Sequence, residues 1–201
     1  MARFFAVFGS VQKVGLVTVE LMPQGSSSKK IVIVGPKGAG KTALTSYLSE
    51  KFDPDEERRK KAKLNLDNYN PTAGTRIVEM TVKGIDVELW DTSGDHKYEN
   101  CWRALMTDAD GVILVYNPDA PAQDEQIEDW YDFFVKKNGL DNDQCMAIAF
   151  RTSDGATERF RAPPLFSKVT AALITANNVS DVADMFTDHV RGSLFTGGGR
   201  K

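Results

Sequence analysis

Residues 31–42 read IVIVGPKGAGKT, in which the apolar run Ile31-Val32-Ile33-Val34 passes straight into a glycine-rich loop ending in Lys41-Thr42. The spacing of GPKGAGKT over residues 35–42 is that of a phosphate-binding loop, and its context fits: a buried-type strand before it and the helical stretch TALTSYLS (Thr42–Ser49) after it. Gly35, Gly38 and Gly40 leave no Cβ between backbone and ligand. The N–H groups from Lys37 through Ala39 to Ala43 can then converge on a β-phosphate at the positive end of the helix. Lys41 supplies a point charge, and Thr42 would place its hydroxyl on Mg²⁺. The loop implies a nucleotide triphosphate.

Kinases, ATPases and GTPases all use such loops, so the class is decided by residues further along the chain. Trp90-Asp91-Thr92-Ser93-Gly94 ends a strand over Ile85–Leu89, where the Asp91 carboxylate can hold a Mg²⁺ water and Gly94 can bring its N–H to a γ-phosphate. Upstream, Asn70-Pro71-Thr72-Ala73-Gly74 precedes a strand over Arg76–Val82, and Thr72 sits where a switch threonine closes over the metal and the γ-phosphate. A Lys83-Gly84 turn joins the two strands into a hairpin. The order of loop, threonine and WDxxG resembles the Ras-like small GTPases. That resemblance implies an α/β fold with a six-stranded, mostly parallel sheet, one antiparallel strand and helices on both faces, binding GTP or GDP with Mg²⁺ through Thr42, Thr72 and Asp91.

The remaining periodicity fills in that plan. Asp110–Asn117 is a continuous apolar run, as a parallel strand covered on both faces requires. Gln126–Lys137 places Ile127, Trp130, Tyr131 and Phe134 on one helical face. Cys145–Phe150 reads as the fifth strand, Ala171–Thr175 as the sixth, and Val179–Val190 as a closing helix with Val179, Val182, Met185, Phe186 and Val190 inward. Gly155–Lys168, with Pro163-Pro164, reads as a loop. In the charge run Asp53–Lys63 the pairs Asp55/Arg59, Glu56/Lys60 and Glu57/Lys61 are spaced i,i+4, so the first helix extends or restarts there. The expected organisation is an N-terminal extension (1–29), a nucleotide-binding domain (30–192) and a tail (193–201). For the extension, an upstream segment before a natural start at Met22, an added strand or hairpin, and a targeting segment all stay open.

With 201 residues, 41% hydrophobic and 26% charged, the chain can bury a full core. Its net charge of −3 and its lack of a basic block give no footprint for nucleic acid. Cys101 and Cys145 are too few and too separated for a disulfide scaffold or a zinc site and read as buried, reduced thiols of a cytoplasmic protein. No window of the first 29 residues approaches the ~20 apolar residues of a membrane span. The final GGGRK carries no cysteine and residue 2 is Ala, so no lipid anchor is expected, and placement by another protein is.

The stretch from Glu88 to Gly111 narrows the resemblance. Its pattern WDxxGDxKxExCWxALMxDAxG, with Gly35-Pro36, Pro71-Thr72-x-Gly74, Trp130-Tyr131 and Gln144-Cys145-Met146, is similar to the intraflagellar transport protein 22 family, also called Rab-like protein 5. The likeness covers roughly residues 30–175. It implies a subunit of the intraflagellar transport B complex held by the coiled-coil transport proteins 74 and 81, located in the cilium or flagellum and at its base.

Several positions depart from ordinary small GTPases. Asp95 comes after Gly94 where a glutamine usually orients the attacking water, and Lys37 crowds the same space, so hydrolysis is expected to be slow. No catalytic residue is assigned. Where Asn-Lys-x-Asp normally reads guanine, the chain has Arg151-Thr152-Ser153-Asp154, which keeps only Asp154, and the later turn is reduced to Thr175-Ala176-Asn177 with the Ala176 N–H left for the base. The partner surface is expected at Tyr69, Thr72, Tyr98 and Trp102, the last two sharing a face if their segment is helical. Three functions remain open: a poorly hydrolysing GTP-binding adaptor, an active GTPase with an activating partner, and a phosphate-loop ATPase or kinase.

Overall fold

Alternation along one strand organises the whole molecule. In the computed structural model, which describes residues 28–65, 71–151, 162–175 and 177–196, β1 (Lys29–Val34) sends Ile31 and Ile33 to one face and Val32 and Val34 to the other. The first pair packs against Leu44 and Leu48 of α1 (Lys41–Lys51) and Val182 and Phe186 of α5 (Val179–Thr196). The second pair packs against Trp102 of α3 (Trp102–Met106) and Ile127 and Trp130 of α4 (Gln123–Tyr131). Each strand residue thus serves a separate apolar layer, as a sheet covered on both faces requires.

The six strands run in the order β2 (Thr75–Val82), β3 (Ile85–Thr92), β1, β4 (Gly111–Tyr116), β5 (Cys145–Phe150), β6 (Thr170–Ile174). All neighbours are parallel except β2 and β3. Lys83 and Gly84 both have positive φ, 51° and 84°, the geometry of the tight turn that matches strand twist in a two-residue hairpin. Strand order reverses at β1, with β3 on one side and β4 on the other. Ligands of such sheets bind at that switch point, beyond the carboxyl ends of the strands. Here the phosphate loop leaves β1 there.

The structure shifts several expected boundaries. The charge run restarts as a separate helix, α2 (Glu56–Lys61), capped by Asp55, whose carboxylate accepts from the Glu57 N–H at 2.8 Å. Glu56 and Lys60 pair at 2.9 Å, but Arg59 donates to the carbonyls of Asp53 and Pro54 instead of meeting Asp55, because the cap already holds that carboxylate. α4 starts three residues earlier than periodicity suggested and passes into a π turn at Asp132–Lys136, which keeps adjacent Phe134 and Val135 both buried. β6 ends at Ile174, opposite Phe150, because the Thr175 N–H is taken by the Asn178 side chain at 2.7 Å. α5 continues past Val190 to Thr196, since Gly192 alone does not stop it and the Gly197-Gly198-Gly199 run comes later. In the expected loop before β6, the described part carries one 3₁₀ turn at Pro164–Phe166. The two thiols differ from expectation: Cys145 is buried, whereas Cys101 is exposed, because the next residue, Trp102, is the one that turns inward.

Candidate nucleotide site

α1 begins at Lys41 with no side-chain cap, leaving its first N–H groups to the cavity in front of them. Gly40 before it has φ 92°, and a Cβ there would lie 2.2 Å from the Phe150 ring, so β5 forms the floor of the loop. The cavity has a volume of about 670 Å³ and is lined by residues 37–43, by Thr72 and by Thr92–Asp95. A larger groove of about 820 Å³ lies among Ser28, Phe52, Asp86, Glu88 and Asp184. It flanks the amino ends of β1 and β3, away from the phosphate loop, and holds none of the motif residues.

The structure brings together the residues that the spacing singled out. Lys41, 6% exposed, donates to the carbonyls of Gly35 and Pro36, both at 2.7 Å, so its ammonium is already aimed across the loop. Burial lowers its pKa to about 8, an effect that the nearby Asp91 carboxylate opposes. The hydroxyls of Thr42 and Thr72 meet at 2.7 Å. Asp91 is fully buried and neither of its carboxylate oxygens has a hydrogen-bond partner. Burial raises its pKa, offset by the Thr42 hydroxyl and by Arg76 and Lys41. A buried carboxylate with no hydrogen bond within the geometric limits, near the Thr42 hydroxyl and paired with Arg76 at 3.5 Å, fits a hard divalent cation that takes oxygen ligands.

Gly94 presses on the loop: a Cβ there would lie 2.5 Å from the Lys37 nitrogen and 2.6 Å from the Lys41 ammonium. The second switch is tied to the first through the Ser93 N–H, which donates to the Gly74 carbonyl at 2.8 Å. Asp95 is occupied by its own chain. Its carboxylate caps the 3₁₀ turn His96–Cys101 by accepting from the Lys97 N–H at 3.1 Å, and it pairs with the Lys97 ammonium at 3.2 Å. The Lys97 N–H and ammonium, followed by Lys37, hold the Asp95 pKa below its ordinary value. Lys37 is exposed above the site.

The 3₁₀ turn also corrects the expected partner surface. Tyr98 is half-buried and Trp102 only 3% exposed, because a 3₁₀ turn followed by α3 does not keep residues four apart on one face. Trp102 packs against Trp130, Phe133 and Phe134, with ring centroids 4.5, 5.1 and 5.1 Å away, and is a core residue. Tyr69, Asp154 and Ala176 lie outside the described residues.

At the base end, Arg151 replaces the usual asparagine. It is 9% exposed, and its Nε donates to both carboxylate oxygens of Asp119 at 2.8 and 2.9 Å. Sequence reasoning passed over Gln123, whose Oε1 accepts from the Asn117 N–H at 2.7 Å and whose Nε2 donates to the Lys37 carbonyl at 3.1 Å. A glutamine at the start of a helix carries no signal of that role. Arg76, also passed over, lies opposite Asp91 in the hairpin register. Counting back from the Lys83-Gly84 turn would have found it.

The family model described as Ras of Complex, Roc, domain of DAPkinase matches residues 30–153, the span that holds the phosphate loop and both switches. The chain is 39% identical to an intraflagellar transport protein 22 homolog of Bos taurus over 148 residues, 68% of this chain and 74% of that one. It is equally identical, 39% over 151 residues, to the homolog of Danio rerio, covering 70% of this chain and 75% of the relative. The GTP-bound crystal structure of T. brucei IFT22/74/81 aligns with a TM-score of 0.61 at 21% identity, over 84% of this chain and 99% of that one, a likeness of fold. The chain belongs to the intraflagellar transport protein 22 family of Ras-like GTPases.

Proposed function

We propose that this chain is a guanine-nucleotide-binding small GTPase of intraflagellar transport that hydrolyses GTP slowly and works as an adaptor subunit. The carrying observation is that Lys41, Thr42, Thr72, Asp91 and Gly94, from three separate stretches of chain, line or adjoin one cavity at the sheet's switch point. Residues 30–192 form the nucleotide-binding unit. Lys41 and the loop N–H groups from Lys37 to Ala43 would bind the phosphates, Thr42 and Thr72 would hold Mg²⁺, and Asp91 would hold its water. A metal held there would supply positive charge to the phosphates. Base recognition is assigned to Asp154 and the Ala176 N–H. Slow hydrolysis is supported by Asp95, whose carboxylate is spent on capping its own turn and carries negative charge.

The adaptor role draws on the T. brucei crystal structure, which holds the family member together with proteins 74 and 81. Their counterparts, as coiled-coil subunits, would bind across the first switch at Tyr69 and Thr72 and reach Tyr98, with placement in the cytoplasm and at the cilium or flagellum and its base. Among the described residues no helix is long and apolar enough to cross a membrane. The test is chromatography of nucleotide released from purified protein, with co-purification of a folded Thr72→Arg/Tyr98→Ala variant with the 74/81 pair. Bound guanine triphosphate and loss of co-purification are expected. Bound adenine nucleotide would overturn the assignment, and undiminished co-purification would move the interface elsewhere.

A further inference from the structure

The geometry points to Arg76 as a tethered cation of the phosphate site, one that takes over part of the metal's electrostatic work and loosens the dependence of nucleotide binding on Mg²⁺. The inference rests on the nucleotide reading above. Hairpin register sets Arg76 directly across from Asp91, and its Nη2 lies 3.5 Å from Asp91 Oδ2. The same Nη2 donates to Ser46 Oγ at 3.2 Å, and Ser46 lines the nucleotide cavity. Arg76 is therefore held at two points, one on β3 and one on α1, beside a residue that lines the site. Its side chain is 44% exposed while that of Asp91 is 0% exposed, so the guanidinium stays partly in water and sits over a carboxylate that does not.

Lys41 acts on Asp91 through space but is not paired with it. Its ammonium is taken by the carbonyls of Gly35 and Pro36, at 2.7 Å each. A guanidinium is charged at every physiological pH and is weakly hydrated, which suits it to a lasting place beside a buried anion. One fixed positive charge at the metal carboxylate has two consequences. It attracts a polyphosphate when the metal is absent, and it contends with a divalent cation and its water shell for the Asp91 oxygen. The metal therefore displaces the guanidinium as it binds, so chelation restores part of the charge it removes, and the linkage between metal and nucleotide shrinks. With the charges several ångströms apart and half solvated, removing it should change that linkage about tenfold.

The test uses the full chain loaded with a fluorescent GDP analogue, whose dissociation is followed in excess Mg²⁺ and after chelation by EDTA. Chelation should speed release by less than about tenfold in the wild type and by about tenfold more than that in Arg76→Gln. Arg76→Lys, which keeps the charge but not the guanidinium contact to Ser46, should stay near the wild-type ratio, an outcome that a purely structural role does not produce. Equal ratios in folded wild type and Arg76→Gln, checked by circular dichroism, would overturn this inference alone. Should Arg76→Gln not fold, the wild-type ratio decides: acceleration of about a hundredfold or more overturns it. Failure of the wild type to bind any guanine nucleotide would overturn the underlying reading as well.

Discussion

Thr42 Oγ1 and Thr72 Oγ1 lie 2.7 Å apart, a hydrogen bond that joins the first turn of α1 to the segment before β2. The two hydroxyls proposed as metal ligands therefore already face one another, and the first switch is drawn over the phosphate loop by a contact a metal would replace. Thr42→Asn and Lys41→Ala should each abolish the rise in melting temperature on adding GTP. Ligand at a hundredfold excess over Kd stabilises by about 2.7 kcal/mol, so the wild-type shift is readily measured by thermal scanning. An undiminished shift in both variants would remove the site from this cavity.

Hydrolysis by the isolated protein should be slow, on the order of 10⁻⁴ s⁻¹ in a single turnover. Asp95→Gln should not restore it, because the replacement loses the charge that pairs with Lys97 and leaves Lys37 above the site. Phosphate release by rapid-quench assay checks both. Several turnovers per minute by the wild type would contradict the adaptor role.

Gly94→Ala should separate the second switch from the phosphate loop. The added methyl would meet backbone at 2.5 Å and the Lys41 ammonium at 2.6 Å, and backbone cannot yield cheaply. A loss of about 1–3 kcal/mol in denaturant unfolding is expected from such overpacking, together with weakened nucleotide binding in equilibrium titration.

Acid should destabilise the fold through His189. Burial lowers its pKa to about 4, and its Nε2 has no hydrogen-bond partner. The unfolded histidine titrates near 6.5, so the folded state binds the proton less readily. Stability is full above about pH 6.5 and falls as pH drops toward 4, by on the order of 3 kcal/mol. Urea unfolding at pH 7.5 and pH 5 measures the difference, and His189→Leu should flatten it.

Thiol labelling should distinguish the two cysteines. Cys101 is exposed, whereas burial pushes the Cys145 thiol up to about 12, with the Asp141 charge adding to the effect. Native protein should take up one equivalent of maleimide, at Cys101, as read by peptide mass, and Cys145 should react only on unfolding.

Elements whose pattern is local were legible in the sequence. β5 (Cys145–Phe150) and the β2–β3 hairpin could be read from apolar runs bounded by turn residues, and so could Ile127, Trp130, Tyr131 and Phe134 as one inward face. What escaped depends on partners far along the chain. Trp102 looked like an interface anchor because spacing alone cannot show that Trp130, Phe133 and Phe134 wait for it across α4. Gln123 reaches the Lys37 carbonyl over 86 residues of sequence, a link that no local rule anticipates. The π turn at Asp132–Lys136 adds a residue per turn without any proline or glycine to announce it.

The Phe150 ring beneath Gly40 ties two distant codons together. A methyl group at residue 40 would meet that ring and would also have to hold φ at 92°, so a smaller residue 150 relieves only the first of two obstacles. Residue 40 is therefore the immovable member of the pair. Drift along this lineage should be confined to residue 150, and there to side chains that fill the same space, because a lineage that empties it passes on a nucleotide loop without a floor, however intact its GKT motif.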